Sequence, residues 1–144
     1  MPSLRIRPAT TADAEAIAHL LTQLGYPMDA TEAPRRLGRL AESKAVALIA
    51  EREGRVLGLA TIHVLSVLNR ANPVAWLTAL VVDQEARASG VGRALVEAAE
   101  ARGREAGCEW LSVTTHEDRV GARAFYPRVG LQATGRRFGK ALRP

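Results

Sequence analysis

Read for the spacing of its apolar positions, the chain changes period several times, and each change marks an element. Leu4-Arg5-Ile6-Arg7 alternates apolar and basic before Pro8, the pattern of a short strand with one buried face. From Asp13 the period lengthens. Ile17, Leu20, Leu21 and Leu24 recur at helical spacing, Thr10 or Thr11 can cap the start, and Gly25 ends the run. A second helix opens at Asp29-Ala30-Thr31-Glu32, with Leu37 and Leu40 facing inward and Arg35, Arg36 and Arg39 outward as a solvated face.

Extended segments follow. Residues 45–52 and 55–64 are apolar runs joined through Glu53-Gly54, the strongest hairpin signal in the chain, and a third run at 74–82 comes after Asn69 to Pro73. These predict three antiparallel strands. Beyond a short polar turn, Leu95, Ala98, Ala99 and Arg102 fall on successive turns of a helix that ends between Gly103 and Gly107, and its alanines allow close approach to a sheet. Residues 110–115 read as the next strand, and a helical crossover from the strand ending at Val82 makes that pair parallel. A short helix at 118–129 is bent or ended early by Pro127, and residues 131–134 and 137–142 are expected to close the sheet. The pattern holds no repeat and no linker, so residues 1–144 are expected to form one mixed α/β domain.

Composition narrows the chemistry. A chain of 144 residues buries about two thirds of its unfolded surface without metal or disulfide staples. Its one cysteine, Cys108, permits no internal disulfide and no multi-cysteine metal site, and its place after Gly107 suits a small buried hydrophobe rather than a nucleophile. No metal is expected. The first residues lack the apolar core of a signal peptide and no run is long enough to span a bilayer, so a soluble cytoplasmic chain without a membrane partner is expected. The net charge of +5, mostly arginine, favours an anionic ligand but is modest for a nucleic-acid binder, and 4% aromatics leave no base-stacking platform.

An anion has an obvious place to bind. The run Leu80-Val81-Val82 passes through Asp83 to Ser89 into Gly90-Val91-Gly92-Arg93, a strand, a turn and a helix N-terminus. Glycine removes side chains that would keep a ligand off the backbone, and the first helical turn offers N–H groups without intrahelical partners. Two familiar phosphate turns are excluded. Gly92 is followed by Arg93-Ala94 rather than the Lys-Ser/Thr of a P-loop, and Leu95 stands where a dinucleotide-binding turn has its third glycine.

Arg87-x-x-Gly90-x-Gly92 after a Leu-Val-Val strand resembles the acyl-coenzyme A turn of the GNAT N-acetyltransferase superfamily. A second segment agrees: Ala122-Arg123-Ala124-Phe125-Tyr126-Pro127-Arg128-Val129-Gly130-Leu131 resembles the family's Ala-x-x-Phe-Tyr-x-x-x-Gly-Phe, with Leu131 in place of the final aromatic. The element order is similar to the GNAT fold over essentially the whole chain, and Thr134-Gly135-Arg136-Arg137-Phe138 looks like the small single-domain acetyltransferases of aminoglycoside type. The resemblance implies a mostly antiparallel twisted sheet with one parallel βαβ unit and flanking helices. It also implies acetyl-coenzyme A as cosubstrate, an amine of a small molecule or peptide as acceptor, and a homodimer, the family's common habit. Backbone groups of Leu80, Val81 and Val82 would pair with the pantetheine arm, and Arg87, Ala88, Ser89, Gly90, Val91, Gly92 and Arg93 would wrap the pyrophosphate. Tyr126 would stand near the thioester sulfur, where a phenol can protonate the departing thiolate.

The chain departs from the family where a base is needed. Many relatives carry an acidic residue on the strand before the turn, at or near the positions held here by Trp76 and Thr78, neither of which takes a proton. His63 and His116 are the remaining side-chain candidates, beside a water chain or an amine deprotonated before binding. Three readings follow: an N-acetyltransferase, a module of the same fold that binds acyl-coenzyme A without efficient transfer, and, ranked last, a basic nucleic-acid-binding domain resting on Arg35, Arg36, Arg39, Arg136, Arg137, Lys140 and Arg143.

Overall fold

In a computed structural model of the protein, residues 3–115 and 120–143 are described. The chain divides into two compact units, one up to Val113 and one from Thr114. The first contains a five-stranded sheet in the order β1-β2-β3-β4-β5, formed by Arg5–Pro8, Val46–Arg52, Arg55–Leu65, Val74–Val82 and Trp110–Val113. Neighbours pair antiparallel except β4 and β5, which are parallel. This is the mixed sheet the periodicity predicts.

Local chemistry explains the elements. Helix α1 (Ala14–Leu24) follows a single turn of 3-10 helix capped by Thr10, whose backbone N–H donates to the Asp13 carboxylate at 2.8 Å. It stops at Gly25, which takes φ +104° and donates to the Leu21 and Thr22 carbonyls. Helix α2 (Ala33–Glu42) is preceded by Asp29, whose carboxylate accepts from the Thr31 N–H at 2.9 Å. Between β2 and β3 both Glu53 and Gly54 have positive φ, the requirement of a tight hairpin turn whose twist matches its strands.

One face of the sheet packs on α1, in a core of Ile17, Leu20, Ala47, Ile49, Leu59 and Val81, with Leu37 and Leu40 of α2 packed against it. The other face meets α3 (Val91–Glu105), whose buried residues are Val91, Leu95, Val96, Ala99 and Gly103. The expected face is therefore corrected: Ala98 is half-buried and Arg102 exposed, while Gly103 comes so close to β4 that an added Cβ would lie 3.2 Å from the Ala75 Cβ. At Gly58 an added Cβ would lie 2.9 Å from Leu95 Cδ1, 3.0 Å from Val91 Cγ1 and 3.2 Å from the Val81 carbonyl oxygen. The start of α3 is seated directly on bare sheet backbone.

β4 carries a bulge that decides what each of its halves faces. Thr61 pairs with Ala79 but Ile62 with Leu77, leaving Thr78 as the extra residue. Before it, Ala75 meets α3, and after it Ala79 and Val81 face the helices of the opposite side. One inserted residue exchanges the faces of a strand. β5 accompanies β4 only from Val74 to Leu77, so among the described residues no strand pairs with Ala79 to Val82 on that side.

The second unit contains α4 (Val120–Arg128), which ends one residue after Pro127 and leads into Gly130 at φ +93°. Residues 131–143 carry no strand, and the expectation that 131–134 and 137–142 close the sheet is corrected. That stretch is almost wholly exposed and broken by Gly135 and Gly139, with Phe138 and Leu142 about nine-tenths exposed, so it buries no apolar face that would hold a strand in register.

Candidate active site

The turn after β4 is built largely from backbone. Asp83 is buried, its N–H donates to the Leu57 carbonyl at 2.8 Å, and its carboxylate accepts from the Glu85 N–H at 2.9 Å, starting a turn of 3-10 helix at Gln84–Ala86. α1 holds the same point. The Gln84 N–H donates to Gln23 Oε1 at 3.0 Å, Gln23 Nε2 lies 2.8 Å from His19 Nε2, and that nitrogen is 3.5 Å from Asp83 Oδ2. Sequence spacing does not single out His19 or Gln23; the signal available is a polar pair one turn apart on α1.

Past this anchor the backbone curls. Arg87 is extended and donates from Nε to the Val82 carbonyl at 3.3 Å, Ala88 takes φ +61°, the Ser89 hydroxyl donates to the Ala86 carbonyl, and Gly90 takes φ +87° as the N-cap of α3. No side chain caps the helix, and an added Cβ at Gly90 would meet nothing within 4 Å. Arg87, Ala88, Ser89, Gly90 and Arg93 are exposed and Gly92 is half-buried. Val91 is fully buried against Gly58 and so offers a ligand only its backbone. Uncapped N–H groups, the positive end of a helix dipole and open space at a glycine fit an anion such as a pyrophosphate.

Leu80 and Val82 are half-buried and Val81 is 5% exposed, its side chain in the core against α1. What they present at the unpaired side of β4 is backbone.

On the face of α1 and α2 lies a cavity of about 620 Å³. Its floor is apolar, with Ile17, Leu21, Leu37, Leu40 and Leu59, and its polar lining includes Thr61, His63, Arg35, Arg36 and Arg39. It extends to Ala79, the residue before Leu80. His63 is half-buried and pairs across the strands with Trp76. Thr78, at the bulge, is exposed with its hydroxyl 2.7 Å from that of Thr61. The three arginines, read from spacing as a solvated face, are exposed and yet form one wall of this cavity; their spacing of one and four residues is the signal that they share a side of the helix.

In the second unit Tyr126 is half-buried, its ring edge-on to Phe125 at 5.5 Å between centroids, and its carbonyl accepts from the N–H groups of Val129 and Leu131. His116 lies outside the described residues. Cys108 is half-buried, and burial pushes its thiol up from the ordinary value, away from nucleophilic use. Among the described residues no group of three or more His, Cys, Asp or Glu is placed to hold a metal ion, and no helix is long and apolar enough to cross a membrane.

The family model described as acetyltransferase (GNAT) family matches residues 14–131, which includes both the glycine turn and α4. The chain belongs to the GNAT acetyltransferase family. It is 31% identical over 144 residues to an aminoalkylphosphonate N-acetyltransferase of Salmonella typhimurium, covering 99% of this chain and 94% of that one. It is 35% identical over 136 residues to an aminoglycoside N(6')-acetyltransferase type 1 of Stenotrophomonas maltophilia, covering 91% and 88%. In fold it matches a structure of an aminoglycoside N-acetyltransferase in complex with coenzyme A, with TM-score 0.86 at 20% identity, over 100% of this chain and 97% of that one. A GNAT-family member with these relatives is an N-acetyltransferase that draws its acetyl group from acetyl-coenzyme A.

Proposed function

We propose that the chain acts as a single domain that acetylates a primary amine held in the cavity under α1 and α2, with the coenzyme held by β4 and the glycine turn. The observation that carries this is an adjacency along the chain: Ala79 lines the cavity, and the next residues are Leu80, Val81 and Val82, with the turn and the uncapped start of α3 beyond them. Backbone groups of Leu80 to Val82 would align the pantetheine arm as an added strand. Arg87 to Arg93 would hold the pyrophosphate through N–H groups and guanidinium charge.

Acetyl-coenzyme A supplies an activated acetyl group: a C–N bond to the amine forms, the C–S bond breaks with its electron pair going to sulfur, and coenzyme A leaves as the thiol. The protein's part is to position the two partners and to manage two protons. Tyr126 is the proposed donor to sulfur. His63, which lines the cavity, and His116 are the proposed acceptors of the proton that the amine loses, and neither Trp76 nor Thr78 is able to serve. The single cysteine and the small-molecule acceptors of the relatives suit a cytoplasmic enzyme working on a diffusible amine, and homodimers are the family's habit.

Two measurements on the whole chain test this. At a hundredfold excess over Kd, acetyl-coenzyme A should stabilise the fold by about 2.7 kcal/mol, visible in a melting curve. A panel of aminophosphonates, aminoglycosides, amino acids and peptides should then contain an amine that releases thiol. No melting shift at millimolar coenzyme overturns the assignment of the turn; a shift without thiol release from any amine leaves the reading in which the fold binds acyl-coenzyme A without transfer.

A further inference from the structure

The acceptor cavity has a charge that the proposed transfer does not require. Arg35, Arg36 and Arg39 all line it, and among the described residues no carboxylate does. The neighbouring Glu32 is shared: its Oε2 lies 2.5 Å from Arg35 Nη2 and 3.7 Å from Arg36 Nε. Arg39 has no carboxylate partner among the described residues, so three guanidinium groups face one carboxylate at this wall. A solvated helix face would spread such charges into water, but these share a concave, apolar-floored space with Thr61, His63 and Ala79. Apolar walls reduce screening and focus the field of charges at a cleft.

We infer that the acceptor carries an oxyanion group, a phosphonate, phosphate, sulfonate or carboxylate, which the α2 arginines seat while its amine lies toward Ala79. The inference rests on the cavity being the acceptor site. Guanidinium groups match oxyanions with paired N–H donors, so the cavity selects such a ligand and repels a second positive charge. Arg39 contributes most, because Arg35 and Arg36 already share Glu32. An acceptor bearing several ammonium groups is disfavoured in the same cavity.

The test uses amines of one length that differ only in the far group: 2-aminoethylphosphonate, ethanolamine and ethylenediamine. Thiol release from acetyl-coenzyme A gives kcat/KM for each, and the melting temperature with 2-aminoethylphosphonate in the presence of coenzyme A gives binding apart from turnover. The phosphonate should exceed ethanolamine by about tenfold or more, the yield of one charge-assisted hydrogen bond, with ethylenediamine lowest. Arg39→Gln should shrink the phosphonate-to-ethanolamine ratio by about tenfold, mainly through KM, and lower the melting shift at a fixed phosphonate concentration. The double variant Arg35→Gln with Arg36→Gln should act in the same direction and less. Equal use of the three amines, or an Arg39→Gln loss equal for all of them, overturns the inference and leaves the transfer reading intact. A loss of acetyl-coenzyme A affinity instead, measured on the same variant, also overturns it by assigning the arginines to the coenzyme. A phosphonate shift that depends on Arg39, with no thiol released from any amine, sustains the inference and removes the transfer reading.

Discussion

The two sides of the site are made from different material. On the proposed coenzyme side, the side chains of Val81 and Val91 are spent on the core, at 5% and 0% exposure, and what is left to recognise a ligand is peptide groups at the edge of β4 and the start of α3. On the proposed acceptor side the backbone is already used in the sheet and in α2, and what faces the cavity is side chain: Arg35, Arg36, Arg39, Thr61 and His63. A backbone site needs a conformation, and few sequences supply it; a side-chain site needs only a scaffold, and its residues are exchangeable without loss of fold. Relatives that share a coenzyme can therefore differ in acceptor, as the aminoalkylphosphonate and aminoglycoside enzymes do by name.

Tyr126→Phe should break the symmetry between the two sides most sharply. If its hydroxyl protonates the leaving sulfur, turnover falls by about 10²–10⁴-fold while acetyl-coenzyme A affinity and the phosphonate shift remain. A merely structural tyrosine gives the reverse, about 1 kcal/mol lost from folding with near-normal turnover in the folded protein. Gly90→Val comes next and acts on the coenzyme side alone. A branched residue at φ +87° is strained and projects into the open space where the pyrophosphate is proposed to sit, so the stabilisation of about 2.7 kcal/mol by a hundredfold excess of acetyl-coenzyme A over Kd should vanish. Retained coenzyme affinity in a folded Gly90→Val protein would move the ligand elsewhere.

The smallest effect concerns support of the acceptor side. Arg7 donates to both oxygens of Asp13 at 2.8 Å and also reaches Glu51 at 3.1 Å, tying β1 and β2 to the start of α1. The Arg7 hydrogen bonds hold the carboxyls of Asp13 and Glu51 below their ordinary values and push the guanidinium up. Because the folded carboxyls titrate lower than the unfolded ones, which do so at about pH 4, their contribution is complete above roughly pH 5 and is lost as the pH falls through the lowered native values. Asp13→Asn should lower stability by about 2 kcal/mol at neutral pH and flatten the acid limb of a urea-midpoint series. An unchanged acid slope would deny this network its role.

How legible each part was follows from the same contrast. Gly25, Glu53-Gly54 and the Gly90 turn were readable because each position requires a left-handed backbone, and glycine in a hairpin or cap announces it. The bulge at Thr78 was not, since a single threonine in an otherwise apolar run of 74–82 is equally at home in a regular strand, although here it exchanges the faces of β4. α3 misled for a related reason: Gly103 has no side chain to count as apolar, yet it is buried close against Ala75 of β4, while Arg102 beside it is exposed. Residues 131–143 offered short alternation without enough apolar surface to pin it. The arginines of α2 were visible as a set, but nothing in a helix spacing says whether its outer face looks onto solvent or a cavity.

The topology of the sheet also predicts an order of assembly. β2, β3 and β4 succeed one another through a tight turn and a short connection, whereas the outer strands β1 and β5 reach their partners only across α1 and α2 or across α3. Closing the larger loops costs chain entropy that must be spent before the contacts repay it. The divergence of β5 from β4 after Leu77, and with it the proposed place for pantetheine, is therefore expected to form late in folding. If acetyl-coenzyme A binds there, it should leave the refolding rate unchanged and slow unfolding as its occupancy rises, a division that stopped-flow traces with and without coenzyme resolve. A ligand that accelerated refolding would mean that the turn and β5 meet early.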